Sequence, residues 1–269
     1  MRLSEKKIVI TGAAGLLGVE HALAVLGEGG EVALLDINLD RLESFKKSCS
    51  PEQQDRIHYF DCDITNESQL RDISKKICKD MGPPTGLVNN AAINPAVEAG
   101  TGNFTRLENL SVESWNLELG VGLTGAMLCS KIFGILMVEN HIAGSLVHIA
   151  SDHGIMAPNQ DLYRLEGVDP RNQPVKPITY SVVKHGLIGL SRYLSTYWSN
   201  YGIRSNSICP GGVRNAQNQN FLDKFNKLVP LGRPAEPEEY RGALVFLLSD
   251  ESSYMTGSNL VIDGGRSVW

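Results

Sequence analysis

Short apolar runs alternate along the chain with longer stretches whose apolar residues recur at helical spacing. The runs are KIVIT at 7–11, EVALLD at 31–36, IHYFDCD at 57–63, GLVNNA at 86–91, SLVHIAS at 145–151, IRSNSICPG at 203–211 and NLVIDGG at 259–265. Several are apolar almost throughout, which suits strands covered on both faces rather than strands with one face in water. The stretches between them are long enough for helices. Strand and helix in alternation predict an α/β fold, a doubly wound, seven-stranded, mostly parallel sheet with helices on both faces.

No internal repeat, low-complexity tract or flexible linker interrupts this rhythm, so the 269 residues are expected to form one domain over 1–269. One segment is irregular. Residues 155–179 carry four prolines and no clear period, and a loop of that length inside an α/β pattern is usually functional or mobile.

Charge and cysteine content narrow the function classes. Lys and Arg total 25 against 30 for Asp and Glu, a net charge of -5, so nothing electrostatic invites nucleic acid or an anionic membrane. A small-molecule substrate is expected. The five cysteines are scattered, with no CxxC pair and no histidine cluster, so neither a disulfide framework nor a bound metal is expected. The N-terminus passes from a few polar residues straight into the first β-branched run, and no later run looks long enough to span a membrane. The cytoplasm is the expected compartment.

The first strand runs into Thr11-Gly12-Ala13-Ala14-Gly15-Leu16-Leu17-Gly18, which opens a helical stretch. Glycines there let the backbone turn and approach a pyrophosphate, whose charge the helix N-terminus stabilises. This arrangement gives the α/β pattern its Rossmann type. Gly-rich turns between strand and helix also serve packing, and it is the position in the chain that favours a dinucleotide. Asp36 ends the second strand, where an acid receives the adenosine ribose hydroxyls and repels a 2′-phosphate, so NAD is favoured over NADP. The alternative for Asp36 is a turn cap.

Tyr180 and Lys184 lie four apart at the start of a helical stretch and share a face. A phenol is a poor base at neutral pH, and an adjacent ammonium makes it a usable one. A Tyr and a Lys at this spacing are commonplace on helix surfaces; context decides. Ser151 ends the fifth strand run, and ligands bind at the carboxyl ends of strands in open parallel sheets.

Together with Asp61-Cys62-Asp63-Ile64, Asn89-Asn90-Ala91-Ala92, Asn206-Ser207-Ile208-Cys209-Pro210-Gly211-Gly212-Val213 and the closing Ser258-Asn259-Leu260-Val261-Ile262-Asp263-Gly264-Gly265, these motifs resemble the short-chain dehydrogenase/reductase family over essentially the full length. The resemblance implies that Tyr180 exchanges a hydroxyl proton while hydride passes to or from nicotinamide. Ser151 would polarise the substrate oxygen, and Lys184 would hold the nicotinamide ribose. Asp63 and Ile64 would flank the adenine, Asn90 and Ala91 the ribose, and Val213 the nicotinamide amide, with Pro210 and Gly211 also in contact with the cofactor. Family members are often homotetramers or dimers, which is the oligomeric expectation here.

Three departures stand out. The glycine loop reads TGxxGxxG, a spacing similar to the family's longer, sugar-nucleotide-modifying branch. Gly122 stands where the family commonly has an asparagine that helps relay protons; Asn116 is no substitute, because six positions place it about 120° away on a helix. Finally, 28 residues separate Ser151 from Tyr180, a long spacer that contains the irregular segment. That insertion offers Tyr163, Arg164, Arg171 and Lys176 near the expected site, which suits an anionic or polyhydroxylated substrate; the alternative is a solvated loop. Together with the phrase VGLTGAMLCSK and the chain's ending, it resembles dehydrogenases of bacterial surface-sugar pathways, including flagellin glycan and nonulosonic acid synthesis.

Among nearby histidines, His148 and His185 read as packing or surface residues and only His153 as a neighbour of substrate. The sequence therefore points to an NAD-dependent dehydrogenase or reductase acting on a secondary alcohol or ketone, with a sugar or sugar derivative favoured. The alternatives are a sugar epimerase or dehydratase that uses NAD transiently, and a non-catalytic NAD-sensing or scaffold protein.

Overall fold

Alternate residues of the apolar runs go to opposite sides of one sheet, as a period of two requires. In the computed structural model, which describes residues 1–94, 97 and 105–269, Ile8 and Ile10 face one core while Val9 faces the other. The strands are β1 (Lys7–Thr11), β2 (Glu31–Asp36), β3 (Ile57–Asp61), β4 (Gly86–Asn89), β5 (Ser145–Ile149), β6 (Arg204–Pro210) and β7 (Asn259–Ile262). All pair in parallel, in the order β3-β2-β1-β4-β5-β6-β7. The expected doubly wound, seven-stranded fold is present, and its strands stop short of the polar residues that the apolar runs carried into the following loops.

Helices α1 (Leu16–Gly27), α2 (Leu39–Ser48) and, near the C-terminus, α8 (Arg241–Leu248) cover one face, burying Val25, Leu42 and Leu244 with Ile8, Ile10 and Leu34. Helices α3 (Glu67–Asp80), α5 (Ala126–Glu139) and α6 (Ile178–Tyr197) cover the other, burying Ile77, Phe133 and Leu194 with Val9, Leu35 and Leu87. A shorter helix α4 (Val112–Leu119) leads into α5 through a π-helical turn at Gly120–Gly125, and α7 (Gln219–Phe225) lies after β6.

The continuous helix Val112–Glu139 holds an 18-residue window of mean hydropathy 1.8, long and apolar enough to cross a membrane. That corrects the expectation that no run approaches this length. Its apolarity is used inside the fold, where 56% of the window is buried.

The strand order reverses between β1 and β4, so the chain leaves the carboxyl ends of these two strands in opposite directions and opens a crevice there. The irregular insertion lies over this end. It is held by Gln173, whose side chain bonds the backbone of Leu165 and Val168, by Lys224 on the carbonyl of Arg164, and by Leu162 packed against Phe225 and Val229. The insertion ends at Pro177, because α6 begins at Ile178, two residues before Tyr180.

Candidate active site

The crevice is one continuous cleft of about 830 Å³ that runs from Asp36 and Arg41 at one end to Tyr163, Lys176 and Arg266 at the other. The glycine loop forms its first wall. Gly12 has φ +61, and a Cβ on it would lie 2.6 Å from the Cα of Ala91, so this turn excludes any side chain. Asn90 locks the turn from below, its amide donating to the carbonyls of Thr11 and Gly12 at 3.1 and 2.9 Å. Thr11 accepts from the backbone N–H groups of Asn90 and Ala91.

Most of the residues expected to hold a dinucleotide line this cleft: Gly12, Ala14, Gly15, Leu16, Leu17, Asp36, Asp63, Ile64, Asn90, Ala91, Pro210, Gly211 and Val213. Gly18 does not. A Cβ there would stand 2.3 Å from the carbonyl oxygen of Gly12, so Gly18 serves the close packing of loop against helix rather than ligand contact. Asn90 lines the cleft while its amide hydrogens hold the loop. Asp36 fills both roles weighed for it. Its carboxylate accepts from Ala14 N and Asn38 N, each at 2.9 Å, and still faces the cleft with lone pairs to spare.

A dinucleotide fits this architecture on structural grounds. Backbone turns that tolerate no Cβ, the uncapped N-terminus of α1 after Gly15, and an acid at the far end of the cleft are the parts such a ligand needs.

The second half of the cleft brings together Ser151, Tyr180 and Lys184. Ser151 sits at the carboxyl end of β5 with 5% exposure, and its hydroxyl donates to Asp152 Oδ1 at 2.8 Å. Lys184 is as buried, and its Nζ donates to the carbonyl of Ile149 at 2.7 Å. Burial, helped by the charge of Lys176, pulls its pKa down to about 8. Burial also pushes the Tyr180 phenol above its ordinary value, against the neighbouring Ser151 hydroxyl, which works the other way. The depression expected of Tyr180 beside Lys184 is therefore not the net effect here. Lys184 Nζ stands 5.6 Å from the centre of the phenol ring.

Two residues that the sequence reading did not single out organise this half. Asp152 and Arg266 are each 96% or more buried and form an ion pair at 2.5 Å. Asp152 also accepts from His153 N at 2.8 Å, so its two oxygens tie together Ser151, the following turn and the C-terminal segment. The Arg266 guanidinium lies over the Phe225 ring at 5.3 Å. An acid directly after a strand-end serine was the available signal for Asp152; nothing local marked Arg266, which reaches it from 114 positions away.

His153 does border the cleft, edge-on to Tyr180 with ring centroids 5.8 Å apart, and burial lowers its pKa to about 4. His148 is a packing residue, bonded to Asn89 and Ser205, and His185 is exposed. From the insertion, Tyr163 and Lys176 line the cleft. Arg164 and Arg171 do not: each is exposed and paired with its neighbour, Asp161 or Asp169, which is the solvated-loop alternative.

At Gly122 the structure explains the departure. A Cβ there would lie 2.5 Å from Cγ1 of Val183, so the branched side chain one position before Lys184 occupies the room that an asparagine would need.

The parallel sheet with its switch-point crevice, glycine turn and strand-end carboxylate defines a dinucleotide-binding α/β enzyme. Two family models divide the chain between them: the short chain dehydrogenase model matches residues 6–163, and the model described as enoyl-(acyl carrier protein) reductase matches residues 171–267. The chain belongs to the short-chain dehydrogenase/reductase family and is an oxidoreductase that acts on CH–OH groups or their carbonyl counterparts with a nicotinamide cofactor. It is 31% identical over 270 residues to the 2,5-dichloro-2,5-cyclohexadiene-1,4-diol dehydrogenase of Sphingobium indicum, covering 98% of this chain and 97% of that one. It is 28% identical to the D-threitol dehydrogenase of Mycolicibacterium smegmatis, covering 99% and 95%. Among solved structures, a short chain dehydrogenase from Leptospira borgpetersenii with bound NAD+ superposes with a TM-score of 0.85 at 29% identity, covering 99% of this chain and 94% of that one.

Proposed function

We propose that the protein is an NAD-dependent dehydrogenase of a secondary alcohol in a sugar or sugar-derived polyol, with Tyr180 as acid and base, Ser151 as the partner of the substrate oxygen and Lys184 as the residue that holds the nicotinamide ribose. The observation that carries this reading is the convergence of these three side chains at the end of β5, in the same cleft as the glycine turn. Two relatives named for diol and polyol oxidation support the substrate class. Asp36, with acceptor capacity facing the cleft, supports NAD over NADP, since a carboxylate bonds a ribose hydroxyl and repels a phosphate.

When bound, the nicotinamide ring accepts or supplies the hydride. Tyr180 takes the proton of the substrate hydroxyl in oxidation and returns it in reduction. Burial raises the phenol's pKa and so favours the protonated form that the second of these directions uses. Ser151 now spends its proton on Asp152, and a substrate oxygen would compete for it. Lys184, anchored on Ile149, keeps two of its three donors for the cofactor. Asp152 and Arg266 act through Ser151 and are positioning residues. Exposed Leu117, Met127, Ile135, Tyr193 and Tyr197 on the outer helices support a homo-oligomer, a dimer or tetramer.

The test is reduced-cofactor absorbance during incubation with NAD or NADP and a panel of diols, polyols, sugars and their derivatives, with Tyr180→Phe alongside. Turnover with NAD that drops by about 10²–10⁴-fold in the variant, the range for a positioned acid or base, is expected. Undiminished turnover by Tyr180→Phe would remove the assigned mechanism. Substrate isomerisation without reduced cofactor would replace the dehydrogenase with an epimerase.

A further inference from the structure

Among the described residues, one of the three cations at the substrate end of the cleft, Arg266, is paired with a carboxylate, and the other two donate to neutral oxygens. Lys184 donates to the carbonyl of Ile149 and faces the cofactor side, and Arg266 is neutralised by Asp152. Lys176, the last residue but one before α6, lines the cleft, and its Nζ donates at 2.6 Å to the neutral side-chain oxygen of Asn94. The same nitrogen stands 3.8 Å from the centre of the Tyr180 ring. Among the described residues no carboxylate pairs with it. Two acids attract it from a distance without bonding it: Asp152 is paired with Arg266 and accepts from Ser151 and His153, and Glu118 accepts from the hydroxyl of Thr179 at 2.5 Å.

An ammonium that is half-buried with no carboxylate bonded to it is partly desolvated at a cost, and burial lowers its pKa to about 8 against the more distant attraction of Asp152 and Glu118. The cost is recovered if a ligand brings the missing charge, and a charged hydrogen bond formed in such a place is among the stronger ones. A carboxylate or phosphoryl oxygen reaching Lys176 would lie beside Tyr180, so the group would be carried only a few bonds from the reacting carbon.

We infer that the substrate bears an oxyanionic group, carboxylate or phosphoryl, near the carbinol that is oxidised, and that Lys176 pairs with it. This rests on the dehydrogenase reading and names the substrate class within it.

The experiment compares initial rates with NAD for a polyol series, the matching aldonates and the matching polyol monophosphates. One anionic series should exceed its neutral match in kcat/KM by about 10- to 100-fold, the worth of one hydrogen bond to a charged group. Which series does so distinguishes carboxylate from phosphoryl. Lys176→Gln should bring the anionic members down to their neutral matches, chiefly through KM, while Lys176→Arg keeps the preference. A preference for neutral members, or an anionic preference that survives Lys176→Gln, overturns the inference. Failure of every compound to turn over counts against the dehydrogenase reading instead. The inference is then decided by titrating oxalate and inorganic phosphate into the NADH complex: a change in NADH fluorescence that is lost in Lys176→Gln supports it, and an equal response or none in both proteins overturns it.

Discussion

The two halves of the cleft are built from different material. The glycine half is backbone: a positive-φ turn, helix N–H groups and one carboxylate that itself bonds backbone. The substrate half is side chain: Ser151, Asp152, Tyr180, Lys176, Lys184 and Arg266, drawn from β5, the insertion, α6 and the C-terminal segment. A backbone site depends on a few residues that must lack a side chain. A side-chain site depends on charges that must be paired, so single substitutions should break the second half while leaving the first standing.

The largest effect is expected at Arg266. Removing it by Arg266→Met leaves the Asp152 carboxylate buried without its cation, a change that costs about 3–5 kcal/mol. Thermal melting reads this directly, and Asp152→Asn in the same chain should recover much of the loss by removing the stranded charge. NADH affinity, measured by fluorescence titration, should fall far less than turnover. An equal fall in both would mean that the two halves are one structure and the comparison is false.

The same contrast explains what was legible in the sequence. The strands were visible because their alternate residues enter two separate cores, and the loop that carries the glycine turn was visible because no other residue fits Gly12. Tyr180, Lys184 and Ser151 were found from helical spacing and strand-end position. Gly18 looked like a ligand-binding residue because sequence spacing cannot separate close approach to a ligand from close approach to a neighbouring carbonyl. Arg164 and Arg171 looked as available as Lys176, although each has an acid two or three positions before it with which the fold pairs it. Arg266 was invisible for the opposite reason: its partner is distant in sequence.

A smaller effect is expected behind the substrate half, where Gly122 packs against Val183. Gly122→Asn restores the family's common side chain but drives it into Val183, and overpacking of this kind costs about 1–3 kcal/mol. Adding Val183→Ser removes the obstructing branch, so the double variant should melt nearer the unsubstituted protein than Gly122→Asn alone. Equal melting of the single and double variants would show that the volume exchange between these positions is not what keeps glycine at 122.

The smallest effect is a pH dependence confined to the substrate half. Lys176 titrates at about 8, and its protonated form is the one that attracts an anion. As pH rises through that value the attraction is lost, so kcat/KM for an anionic substrate should fall by up to about 10-fold per unit above it. The groups facing Lys176 also titrate: Lys184 at about 8, His153 at about 4, and Tyr180 above its ordinary value, while Asp152 and Glu118 add fixed negative charge nearby. Lys184 and Tyr180 serve every substrate alike, so their titrations cancel in the ratio of anionic to neutral kcat/KM taken at each pH. What survives in that ratio is Lys176 alone. The ratio should therefore decline above about pH 8 in the unsubstituted protein and stay flat in Lys176→Gln; a decline of the same size in both would place the charge that selects the substrate on Lys184 and the cofactor side of the cleft.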